Sequence, residues 1–210
     1  MNADLLLSTL VTLLVTVDPV GLAPIFLSLT DGMTARERRI IALRATVIAV
    51  GILTFFVFLG QPLLHWLGIG LPAFRIGGGL LLFWIAFEMV FQHRTERKQE
   101  AATAAVHLDH VRDVAAFPLA IPLMAGPGAI TAVILLASRS NGDVLAIASL
   151  LLLVCIVALA CLVVFMAAER ISGILGRTGS IVLTRLLGVL LTALAVQFVV
   201  DGIRALLASS

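Results

Sequence analysis

Six apolar runs, at 5–29, 40–60, 71–92, 116–137, 144–168 and 183–207, govern what this chain can fold into. A hydrocarbon core about 30 Å thick takes roughly 20 residues of helix to cross, and each run is of that order. With no water to bond to in lipid, the backbone of such a run must satisfy itself, which a helix does. The expected fold is an all-α integral membrane protein with six transmembrane helices, residues 1–210 forming one six-span membrane domain. Hydrophobic residues make up 61% of the chain and charged ones 12%, against about 25% charged in soluble domains. Little chain is left for a soluble domain. The flank Met1-Asn2-Ala3-Asp4 carries no Lys or Arg and the first run exceeds a signal-peptide core, so that run is expected to be retained.

Two of the runs are interrupted. Asp18-Pro19-Val20-Gly21-Leu22-Ala23-Pro24 places a carboxylate, two prolines and a glycine inside the first, and Gly126-Pro127-Gly128 lies at the centre of the fourth. Proline removes a donor and clashes with the preceding turn, so helices 1 and 4 should be discontinuous. Freed backbone at membrane depth is tolerated only where it is buried in protein or lines a cavity. Paired interruptions in two halves are the best sequence pointer to a transporter's substrate site.

Six spans put both termini on one side, so basic residues can be counted side against side. Arg36, Arg38, Arg39, Arg44, Arg94, Arg97, Lys98, Arg112, Arg170, Arg177 and Arg185 fall on one side; Arg75, Arg139 and Arg204 fall on the other. By the positive-inside rule the richer side is cytoplasmic and both termini are periplasmic or extracellular, with the protein in the cell (inner) membrane. The formal charge of +2 then carries no implication of nucleic acid. Pro19 matches Pro127, and Arg75-Ile76-Gly77-Gly78-Gly79-Leu80-Leu81 matches Arg185-Leu186-Leu187-Gly188-Val189-Leu190-Leu191, at nearly one offset. This points to half-repeats 1–92 and 116–210 joined by a solvated linker, 93–115. An odd number of spans per half makes them two inverted three-helix repeats.

Local signals fill in the loops. Thr34-Ala35-Arg36-Glu37 has capping-box spacing, which starts the second helix near Ala35. Gly77-Gly78-Gly79 suits close helix packing, and Trp66 suits an interfacial anchor. Cys155 and Cys161 lie inside the fifth run, where packing rather than a disulfide is expected. His107, Asp109, His110 and Asp113 only faintly resemble metal-ligand spacing, and no metal or other cofactor is expected. No Walker-type phosphate loop, Gly-x-Ser-x-Gly or His-Glu-x-x-His occurs, so ATP-driven transport within this chain and proteolysis by those motifs lack support, and no enzyme is expected.

In their order along the chain, several motifs carry a resemblance: Asp18-Pro19-Val20-Gly21 with Pro24-Ile25-Phe26; Leu29-Thr30, Thr34 and Glu37-Arg38-Arg39; Leu71-Pro72-Ala73-Phe74-Arg75-Ile76-Gly77-Gly78-Gly79. They continue through Pro118-Leu119-Ala120-Ile121-Pro122, Ala125-Gly126-Pro127-Gly128-Ala129-Ile130-Thr131, and Gln197 with Asp201-Gly202-Ile203. The sequence resembles the MarC family of six-span membrane proteins, grouped with the LysE-type exporters, part of which is described as small-neutral-amino-acid transporters. The resemblance implies an inner-membrane protein moving small amino acids, with the two broken spans lining the path. Many relatives have Asn at the position of Asp18, so a titrating carboxylate there is not general to the family.

The expectation is a secondary transporter, an exporter or exchanger, of glycine, alanine, serine or similar amino acids, working by alternating access around helices 1 and 4. Asp18, Pro19, Val20, Gly21, Gly126, Pro127 and Gly128 are the candidate substrate-binding residues. Two helix N-termini would offer positive ends and bare N–H groups to a substrate carboxylate, and Asp18 a counter-charge to its ammonium. The plainer role of Asp18 is N-cap of the second half-helix, with Pro19 its first residue. Arg75, Glu88 and Gln197 are candidates for gating or coupling, and Arg75 and Glu88 are also placed to snorkel toward opposite interfaces. Besides lipid the sequence leaves homo-oligomerisation open. Competing functions are a non-transporting membrane scaffold or sensor, or efflux of another small solute.

Overall fold

The computed structural model describes residues 3–91, 114–140 and 143–209. Residues 93–113 of the expected linker, with His107, Asp109, His110 and Asp113, lie outside the described residues, as does Asn141; Ala115 is the buried first residue of a helix rather than solvated linker. The elements are α1 (Ala3–Val17), α2 (Pro19–Leu29), α3 (Ala35–Trp66), α4 (Leu71–Val90), α5 (Ala115–Met124), α6 (Pro127–Ser138), α7 (Val144–Met166) and α8 (Ala168–Ser209). Five helical stretches are long and apolar enough to cross a membrane, and α5 with α6 makes a sixth when counted as one bent span. The all-helical six-span architecture is therefore the one the apolar runs require.

The two interruptions differ in kind. At Asp18 a single residue leaves the helix, and α1 and α2 continue as one span, Leu6–Leu29. Between α5 and α6 the chain bends by 57°. α5 is a wide, irregular segment in which Phe117 and Ile121 are extended, each before a proline in a cis peptide. A residue preceding proline is pushed out of the α region, so Pro118 and Pro122 set both kinks. Sequence reasoning placed the break at Gly126 and missed these two.

Several expected details are present. Thr34 and Glu37 form the reciprocal capping box and α3 starts at Ala35. α3 and α8 are longer than the apolar runs within them, because their charged first turns are helical too. Cys161 is buried as expected, Cys155 is exposed rather than packed, and the two do not form a disulfide. Trp66, 77% exposed, ends α3.

The packing depends on small residues. α4 lies antiparallel on α8, with Pro72, Gly79 and Ala86 facing Gly202, Ala195 and Gly188. A Cβ on Gly79 would stand 2.9 Å from the Ala195 carbonyl, and one on Gly202 2.9 Å from that of Pro72. In lipid, where apolar burial gives helices little reason to associate, such backbone contact supplies the dispersion attraction. Gly78 takes the other face of α4 against Thr131 and Leu135 of α6. The larger buried cluster joins α1, α2, α3, α5, α6 and α7 through residues such as Leu13, Phe26, Ala45, Leu119, Val133 and Cys161.

Candidate functional site

The first break is built by three residues acting together. Asp18 has φ 58° and ψ 66°, the one left-handed non-glycine among the described residues. That conformation costs an L-residue about 1–2 kcal/mol, and Asp tolerates it because its short side chain bonds locally. Here Oδ1 accepts from the Gly21 N–H at 3.1 Å, capping α2, whose first residue is Pro19. A Cβ at position 21 would stand 2.2 Å from Oδ2 of Asp18, so only glycine leaves the carboxylate its place. Asp18 is 2% exposed. It is a carboxylate held inside the protein at membrane depth, where an ionisable side chain costs at least about 2.5–3.5 kcal/mol on insertion scales.

The break frees less backbone than the sequence suggests. The Asp18 N–H donates to Leu14 O at 2.9 Å and the Leu22 N–H to Asp18 O at 3.2 Å, so the ladder nearly runs through. Pro19 has no N–H to give, and Gly21 gives its own to Asp18. The expected set of four open donors facing a row of bare carbonyls is therefore reduced, because a single left-handed residue interrupts one turn only.

The second break keeps its donors. α6 starts at Gly126 with no side-chain cap, and Pro127 is its first residue. Gly126 itself is demanded by a close approach, since a Cβ there would lie 2.3 Å from Pro122 O. Gly128 and Ala129 are buried, and their N–H groups donate to no acceptor among the described residues. A buried helix start without a cap is unusual, and its partial positive charge favours an anion.

The flanks of the two breaks meet. Val17, just before the first, and Met124, just before the second, line one small void with Leu13, Ala49, Leu53, Val154, Val157 and Ala158. Its free volume of about 10 Å³ is room for about one water, and its walls are apolar. The void is too small to hold an amino acid in this conformation.

Of the gating candidates, two come together and one does not. At the end of the bundle where α6 finishes, Arg139 pairs with Asp201 at 3.0 Å and lies over the Phe198 ring at 4.6 Å. Gln197 Nε2 donates to the other Asp201 oxygen at 2.8 Å. Burial lowers the Arg139 pKa from its ordinary value, Asp201 opposes that, and the positive charge of Arg75 adds to it; Arg75 is near because its neighbour Ile76 packs on Gly202, next to Asp201. Glu88 is near the opposite end of α4, buried, and accepts from Trp84 Nε1 at 3.0 Å. It turns inward rather than reaching for the interface.

At the basic end, Arg38 of α3 pairs with Glu169 of α8 and also donates to Thr30 O at 3.2 Å. This pair borders a cleft of about 330 Å³ between the ends of α2, α3 and α7. Its floor includes Phe26 and Phe165, stacked with ring centroids 4.7 Å apart. Sequence reasoning did not find this feature, since its partners come from distant segments with no motif linking them. Among the described residues no group of His, Cys, Asp and Glu could hold a metal ion.

The chain is similar to a UPF0056 membrane protein of Aquifex aeolicus, 40% identical over 97% of this chain and 94% of that one. A UPF0056 membrane protein of Methanocaldococcus jannaschii is 39% identical over 90% and 91%, and one of Escherichia coli 36% over 90% and 87%. No solved structure matches. The model of the family described as MarC family integral membrane protein matches residues 3–207. With a match over nearly its whole length, and relatives covered over 87–94% of theirs, this chain belongs to the MarC family of integral membrane proteins.

Proposed function

We propose that this protein is a secondary transporter of small neutral amino acids, an exporter or exchanger working by alternating access around the breaks at Asp18 and Gly126. The observation that carries the reading is the buried Asp18 carboxylate at a break whose flank lines one void with the flank of the second, uncapped break. A zwitterion has matching needs. Its ammonium pairs with the Asp18 oxygen not taken by Gly21, and its carboxylate with the Gly128 and Ala129 N–H groups and the positive end of α6. Small side chains are favoured because Val17, Ala49, Met124 and Ala158 crowd the void. On this reading the protein sits in the inner membrane with its termini outside, and the two three-helix halves are inverted repeats that rock against each other.

One observation favours a second reading. Asp18 already caps α2 through Gly21, which is all a packing break in a membrane scaffold or sensor would need. Uptake and efflux of labelled glycine, alanine and serine in proteoliposomes separate the two. Saturable flux, suppressed by the unlabelled amino acid, is the expected result. Absence of flux for every amino acid, with the protein shown to be folded, overturns the transporter reading.

A further inference from the structure

The cleft at the basic end and the void at the breaks share three spans, α1–α2, α3 and α7. Phe26, Ala42 and Phe165 face the cleft; Val17, Ala49 and Ala158 face the void. In each span the second residue lies about two helical turns, roughly 10–13 Å, further into the bundle. The cleft and the void are therefore successive openings on one line between α1–α2, α3 and α7. What separates them is fully buried: Leu22, Ala45 and Cys161, closed on the cleft side by the Phe26–Phe165 stack.

We infer that the cleft is the vestibule of the transport path at the basic end, and that the stacked Phe26 and Phe165 are its gate, with the Arg38–Glu169 ion pair as a latch. This rests on the transporter reading of the breaks. The stack joins the half containing α2 to the half containing α7, and the latch joins α3 to α8, so both must open if the halves move apart. The two contributions are unequal. The aromatic rings are 1% and 3% exposed, whereas the Glu169 side chain is 76% exposed and its pairing is weak in water. The rings therefore set most of the barrier.

Cys161 offers a native probe, since it lies one turn inward of Phe165 and is fully buried. In a Cys155→Ala protein it is the one remaining thiol. The experiment measures its reaction rate with a water-soluble maleimide in the full chain, reconstituted in lipid. Phe26→Ala and Phe165→Ala are each expected to raise the rate on the order of tenfold, the loss of a stacked pair and its burial. Glu169→Ala should raise it about two- to fivefold, and lipid-facing Phe58→Ala should leave it unchanged. Rates for Phe26→Ala and Phe165→Ala equal to that of Phe58→Ala overturn the gate. Should the alanine proteins not fold, Phe165→Leu decides in the same way, with a severalfold rise expected and no rise overturning it. The readout needs no flux: wild-type transport with unresponsive Cys161 removes the gate alone, whereas a responsive Cys161 without transport of any amino acid overturns the transporter reading and leaves the stack a barrier with no transport path behind it.

Discussion

Gly21→Ala should destabilise the first break by about 1–3 kcal/mol. The added methyl carbon would stand 2.2 Å from Oδ2, 2.7 Å from Cγ and 2.9 Å from Oδ1 of Asp18, all well inside contact. The carboxylate must swing away and give up its bond to the Gly21 N–H. Losing an N-cap costs about 0.5–2 kcal/mol, and forcing an atom into a packed site about 1–3 kcal/mol. Ala in a helix gives back about 0.5–1 kcal/mol relative to Gly. Because the three nearest atoms all belong to Asp18, the cost should largely vanish in an Asp18→Ala background. The assay is a double-mutant cycle of unfolding in detergent, with Gly77→Ala as control, since nothing lies within 4 Å of a Cβ there. The expected coupling is at least about 1 kcal/mol. Additivity of the two substitutions to within about 0.5 kcal/mol would refute the contact between Gly21 and the carboxylate.

Gly79→Leu should part α4 from α8 and lower the melting temperature sharply, whereas Gly77→Leu, on the open face of α4, should not; equal melting of the two would contradict the antiparallel seam. Thr34→Ala should lose about 1 kcal/mol of helix-start stability, read as earlier unfolding in detergent, with no change in transport. Reporter fusions active only outside the membrane should be active at the carboxyl terminus and near Asn141, and silence at both positions would reverse the proposed orientation.

What the sequence revealed was local chemistry. The Thr34–Glu37 capping box, the N-cap at Asp18 and the break before Pro127 each depend on residues within one turn, and each is where the sequence puts it. Asp18 before proline announces an N-cap, but its left-handed backbone was not legible, since Asp also caps helices in extended conformations. The kinks at Phe117 and Ile121 had a signal, the prolines that follow them, which the continuous apolar run concealed. The pairing of Arg38 with Glu169 spans 131 residues and that of Arg139 with Asp201 spans 62. Such contacts depend on how whole helices pack, which hydrophobic patterning does not specify in a chain that is apolar on nearly every face. For the same reason Arg75 and Gln197 could be named as candidates but not brought together.

Substrate binding and flux in Asp18→Asn and Asp18→Ala, each folded and reconstituted beside the wild type, bear most directly on the breaks as a transport site. Asn keeps the cap and the shape but not the charge, so Asp18→Asn should still transport, with weakened affinity or an altered pH response. Asp18→Ala should lose both the cap and the ammonium partner and fall to background. Asp18→Ala carrying glycine, alanine or serine at wild-type affinity would contradict the proposed site, and complete loss of transport in Asp18→Asn would show that the carboxylate itself is indispensable.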